Sequence, residues 1–123
     1  MGKNLLIASH DKAVGNMLED VARRNGYGVV CPQSEGFLVD EFRTLLDQRP
    51  IKVLMDVNYG KWGSNDISPI ITVAELMKER EYDLQTSLLG ITGNPLLAEE
   101  TQKKNRINVA TKTDIRRVFG FLS

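Results

Sequence analysis

Ile51-Lys52-Val53-Leu54-Met55-Asp56-Val57-Asn58-Tyr59-Gly60 decides the fold. An apolar run of strand length ends on one carboxylate, then opens into a polar loop that contains glycine. A short run of this kind reads as a parallel strand buried on both faces. Asp56 then stands at the carboxyl end of that strand. In open α/β sheets, ligands bind along that edge.

Upstream of this stretch two strand–helix units are legible. Leu5-Leu6-Ile7-Ala8 is a first strand, ended by the polar turn Ser9-His10-Asp11. Over 13–25 the apolar residues Val14, Met17, Leu18, Val21 and Ala22 recur at helical spacing. Asp11 is placed to cap that helix and Gly26 to stop it. Tyr27 to Cys31 is a second strand, ended by Pro32. Leu38, Phe42, Leu45 and Leu46 mark one face of a second helix, which Pro50 stops.

Downstream, a loop over 57–66 carries Gly60, Trp62 and Gly63. Ser68-Pro69 opens the third helix, with serine as N-cap, proline at the first helical position, and Ile70, Val73, Ala74 and Met77 inward. Ser87-Leu88-Leu89-Gly90-Ile91 is the fourth strand, ending at Thr92. Asn94-Pro95 opens a polar fourth helix over 96–104, with Glu99–Lys103 and Glu100–Lys104 spaced to pair and most of its surface exposed. Val109-Ala110-Thr111 is a short fifth strand ending at Lys112. Thr113 or Asp114 caps a last helix with Ile115, Val118, Phe119 and Leu122 inward. Five strand–helix units in a row argue a parallel sheet with helices on both faces. Strand order stays open at this stage.

Composition narrows the function classes. At 123 residues, 41% hydrophobic and 26% charged, the chain reads as one globular domain over 1–123. Sixteen basic residues balance sixteen acidic ones, so neither a nucleic-acid surface nor a polybasic membrane patch is expected. No apolar stretch reaches the length of a membrane span, and the first residues lack a signal-peptide layout. Cys31 is the only cysteine, which excludes an internal disulfide. It reads as a small buried hydrophobe. These features fit a cytoplasmic protein. No Gly-Lys-Ser/Thr motif is present, which argues against a P-loop enzyme.

The strand ends carry the functional reading. Ser9-His10-Asp11, Asp56, Thr92 and Lys112 each follow a predicted strand, and in a parallel sheet all four ends share one edge. A carboxylate can accept a phosphoryl group, and a lysine can neutralise its oxygens as a point charge. The plainer alternatives are a loop aspartate, a strand-ending threonine bonded to its own loop, one more solvated lysine and a loop histidine. Trp62 reads either as an anchor beneath its loop or as a partner contact.

The whole chain resembles the receiver domain of two-component response regulators, the CheY-like branch of flavodoxin-like folds. Val53-Leu54-Met55-Asp56 matches the family's phosphoacceptor strand, Gly90-Ile91-Thr92-Gly93 its switch threonine, and Ala110-Thr111-Lys112 its strand-ending lysine. The resemblance implies a doubly wound five-stranded parallel sheet in three layers. It implies phosphorylation of Asp56, helped by Thr92 and Lys112, by a histidine kinase or phosphotransfer protein. It also implies a downstream protein target, and self-association through the fourth and fifth helices. Magnesium would be held by Asp11, Asp56 and the backbone carbonyl of Asn58. The chain would be a switch rather than an enzyme.

Departures from the family stand beside the matches. The acid pair that holds magnesium falls on Ser9 and His10, or on His10 and Asp11 in a register shifted by one. At least one acid is lost either way, which implies weaker metal affinity unless Asp11 or Asp66 substitutes. Thr113 replaces the proline that usually follows the lysine, so a trans bond is expected there. Val109 stands where the family has its coupling aromatic. A pseudo-receiver that binds partners without phosphorylation is therefore the alternative. A flavin protein on the same fold is disfavoured, because Ser9-His10-Asp11-Lys12-Ala13 is a poor phosphate loop.

Overall fold

The computed structural model describes residues 3–61 and 63–123, so Met1, Gly2 and Trp62 lie outside the described residues. Five parallel strands form one sheet: β1 (Lys3–Ala8), β2 (Tyr27–Val30), β3 (Lys52–Asp56), β4 (Leu88–Thr92) and β5 (Val109–Thr111). Their order is β2-β1-β3-β4-β5. This is the doubly wound flavodoxin-like arrangement expected from the alternation of strands and helices. The order in which strands are added reverses between β1 and β3, and such a switch point opens a crevice at the carboxyl ends. Leu6 registers with Val53, and Asp56 with Ile91 on the other side.

The helices are α1 (Lys12–Arg24), α2 (Val39–Asp47), α3 (Ser68–Glu79), α4 (Leu84–Ser87), α5 (Pro95–Asn105) and α6 (Ile115–Leu122). Alternate strand residues point to opposite faces and so build two cores. Leu6, Val53, Met55 and Leu88 pack with Phe42 of α2, Val73 of α3 and Leu97 of α5. Leu5, Ile7, Leu54 and Leu89 pack with Leu18 of α1 and Val118 and Leu122 of α6. The central apolar runs are long because both faces are covered. No helix among the described residues is long and apolar enough to cross a membrane.

Several local expectations are corrected. Ile67, not Ser68, occupies the N-cap of α3, with Pro69 in its first turn. Asp66 supplies the oxygen there, accepting the Ser68 N–H at 2.9 Å. Ser87 belongs to the short α4 rather than to β4, a turn whose polar sequence carries no periodic signal. Leu38 precedes α2 and is exposed, as are Met17, Ile115 and Phe119. In α6 the half-buried Phe121 packs inward instead. The polar helix α5 is exposed over most of its residues, as expected, with Leu97, Ala98 and Thr101 as its buried face. Its Glu99–Lys103 pair closes at 2.7 Å, and Glu100 and Lys104 form no ion pair. Asp11 and Asn94 cap α1 and α5 as expected, and Asp114 caps α6. No peptide bond among the described residues is cis, so Lys112–Thr113 is trans.

Candidate functional site

Asp56 ends β3 with its side chain buried between the ends of β1 and β4. Its Oδ2 accepts the backbone N–H of His10 at 2.9 Å and the Ser9 hydroxyl at 3.2 Å. The His10 imidazole Nε2 lies 3.3 Å from the same oxygen. Oδ1 is also buried, yet among the described residues it has no hydrogen-bond partner. A buried carboxylate oxygen without a partner costs desolvation energy that nothing in the fold returns. A buried polar atom of this kind calls for a bound water, a ligand or a reaction.

Burial pushes the Asp56 carboxyl above the ordinary carboxylate range, and the His10 N–H, the imidazole, Lys112 and the Ser9 hydroxyl only partly oppose it. Burial also holds His10 below its ordinary value, against the pull of Asp56. Both shifts have one cause, because desolvation penalises whichever form is charged. The imidazole Nε2 faces Asp56 Oδ2 at 3.3 Å as a close electrostatic neighbour, while the hydrogen bonds to that oxygen come from the His10 backbone N–H and the Ser9 hydroxyl.

Beside Asp56 lies a cleft of about 260 Å³, lined among others by His10, Asn58, Thr92, Asn94 and Lys112. Thr92 is buried, and its Oγ1 accepts the Asn94 N–H at 3.2 Å. Lys112 is held near by its own N–H, which bonds the Thr92 carbonyl at 3.0 Å. Its ammonium, however, lies 3.5 Å from Oδ2 of Asp11. Asp56, Thr92 and Lys112, at or just past the ends of three strands, thus line one cleft, as parallel strand ends imply.

The residues expected to hold magnesium are arranged differently. Asp11 turns its Oδ1 to the N–H groups of Ala13 and Val14 and its other oxygen to Lys112. The Asn58 carbonyl accepts the Lys61 N–H at 2.8 Å, closing a turn. Asp66 serves α3 and lies 3.9 Å from Lys61. Among the described residues no three His, Cys, Asp or Glu side chains gather as a metal cluster. Magnesium wants an octahedral set of oxygens. An imidazole on one Asp56 oxygen and a capping Asp11 do not supply that set.

Solved structures share this fold. A response regulator from Chloroflexus aurantiacus matches with a TM-score of 0.61 at 22% identity, over 99% of this chain and 98% of its own. The structure titled FixJ-N matches at 0.59 and 14% identity, over 99% and 94%. A de novo designed Rossmann 2x3 fold protein matches at 0.63 and 15% identity, over 98% and 85%. The likeness is one of fold. No family model matches the sequence, and no curated protein does. In this flavodoxin-like fold the Asp56 cleft occupies the switch-point crevice between β1 and β3.

Ser9 and His10, placed by the sequence on the strand-end edge but given no role at Asp56, both grip it. The His10 ring also stacks on Tyr59, with centroids 6.4 Å apart and planes 12° from parallel. Val109 is buried in the sheet core, so an aromatic relay through that position is absent.

Proposed function

We propose that this chain is a receiver-type signalling module with Asp56 as phosphoacceptor, serving as a switch between a phosphohistidine donor and a protein target. One observation carries the reading: the buried, unpartnered Oδ1 of Asp56 in a cleft with Thr92 and Lys112. Oδ1 attacks phosphorus and forms the new P–O bond. The P–N bond to the donor imidazole breaks, and the imidazole keeps the electron pair and takes a proton from water. Lys112 leaves Asp11 to offset charge on the phosphoryl oxygens. Thr92 accepts from Asn94, so its own hydroxyl hydrogen is available to a phosphoryl oxygen.

Thr92 is two residues from the cap of α5, so its movement reaches the start of that helix. A shift in population between two loop arrangements is enough to change a docking surface. The donor fits a histidine kinase or phosphotransfer protein, and the chain acts by association rather than by turnover. Self-association through α5 and α6 belongs to the same reading.

A phosphorylation-independent interaction module is the second reading. In its favour, Asp56 Oδ2 already carries donors from Ser9 and His10. Incubation with acetyl phosphate, read by intact mass, separates the two. A single phosphoryl adduct that disappears in Asp56→Asn supports the switch. No adduct under any divalent-cation condition overturns it.

A further inference from the structure

We propose that the His10 imidazole stands in for a divalent cation at Asp56, so that the site accepts a phosphoryl group without magnesium. This rests on the phosphoacceptor reading given above. His10 is a positioning residue in it, since it acts through the carboxylate and not on the transferred group.

The argument begins at Oδ2 of Asp56. A backbone N–H, a hydroxyl and an imidazole nitrogen approach that one oxygen at 2.9, 3.2 and 3.3 Å. A cation could reach Oδ2 only by displacing the ring. The ring is held from behind as well. It stacks on Tyr59, which is buried and whose hydroxyl donates to the Ser34 carbonyl at 3.1 Å. The next residue, Gly60, has φ +79° and lies against the backbone of Phe37. The platform under His10 is thereby fixed by β2–α2 loop contacts, so the ring's place is built into the fold.

The other groups a cation would need are engaged too. Asp11 has one oxygen on two helix N–H groups and the other near Lys112. Turning it inward would uncap α1. The Asn58 carbonyl closes a turn with Lys61. What remains is a carboxylate whose two oxygens differ in role. Oδ2 is held by the His10 backbone N–H and the Ser9 hydroxyl beside the His10 ring, and Oδ1, without a hydrogen-bond partner among the described residues, is left as the nucleophile. Both halves of a metal's work are then supplied by the chain: orientation of the carboxylate by His10 and Ser9, and positive charge by Lys112.

The test uses the intact chain and acetyl phosphate, once in excess EDTA and once in magnesium. Intact mass follows the adduct, and calorimetry follows magnesium alone. The proposal expects the same adduct at the same rate in both buffers, with no magnesium heat. His10→Asp returns an acid to the first-strand turn. That variant, checked for fold by circular dichroism, is expected to bind magnesium and to become at least about tenfold faster with it, some 1.4 kcal/mol of barrier. A merely structural role for His10 would slow or unfold the protein without creating magnesium dependence. An adduct that forms in the native chain only with magnesium, or clear magnesium binding by it, overturns the proposal and leaves the phosphoacceptor reading standing. No adduct in either buffer overturns both.

Discussion

The ammonium of Lys112, just past β5, lies 3.5 Å from Oδ2 of Asp11, whose Oδ1 caps α1. One aspartate thus ties the last strand to the first helix across the mouth of the cleft. The Val14 N–H, and after it Lys112, hold the Asp11 carboxyl below the ordinary carboxylate range. A depressed native value means that the stabilisation is complete above the ordinary range and is lost as pH falls through the native value. Asp11→Ala is expected to lower the urea midpoint at pH 7, with the deficit shrinking in acid. Asp11→Ser keeps a good cap and loses only an exposed ion pair, so its midpoint should stay near the native one. Urea titrations of the three proteins at neutral and acid pH check both statements.

Asp56 makes the opposite prediction. Its carboxyl is raised by burial, so the native state takes up the proton more readily than the unfolded chain. In metal-free buffer, stability should therefore rise as pH falls from neutral through the raised value. Asp56→Asn retains an oxygen for the Ser9 and His10 donors and removes the buried charge. It is expected to be more stable at pH 7 by roughly 1–3 kcal/mol, the scale of a buried unpaired polar group, and to lack that pH slope. Thermal melts in EDTA decide it; a less stable variant would mean that Oδ1 is in fact satisfied.

The sheet was legible because its central strands are buried on both faces and so appear as unbroken apolar runs, as in Val53-Leu54-Met55. The helix caps at Asp11 and Asn94 were legible because capping is local chemistry. What failed was whatever depends on how much of a face is covered. Met17, Ile115 and Phe119 share the apolar spacing of their helices and are nonetheless exposed. The meeting of Asp56, Thr92 and Lys112 followed from parallel strand ends alone. The grip of His10 on Asp56 did not, because it joins positions 46 residues apart and depends on the ring's seat against Tyr59.

That seat depends on Gly60. Its φ of +79° is disfavoured for other residues, and a Cβ there would collide with the Phe37 backbone N. Backbone cannot step aside as a flexible side chain can. Gly60→Ala is expected to cost more than about 2 kcal/mol, from strain together with overpacking. Gly63 also has positive φ, but a Cβ there meets nothing within 4 Å. Gly63→Ala should cost only the conformational part, on the order of 1 kcal/mol. Denaturant melts of the two variants side by side separate collision from strain.

The short β5 is held by side chains as well as by its single strand partner. Gln102 of α5 accepts the Val109 N–H at 3.2 Å and an Arg117 N–H at 2.6 Å through the same Oε1. Arg117 donates a second bond, at 2.7 Å, to the Val109 carbonyl. The free edge of β5 is in this way satisfied by two helices, which holds the strand that delivers Lys112 to the cleft. Gln102→Ala leaves the Val109 N–H unmatched and should cost about 1–3 kcal/mol. Gln102→Glu keeps the accepting oxygen and makes the bond to Arg117 charge-assisted, so it should be neutral or stabilising. A double-mutant cycle with Arg117→Met measures the coupling. An additive cycle would mean that α6 does not brace β5 through Gln102.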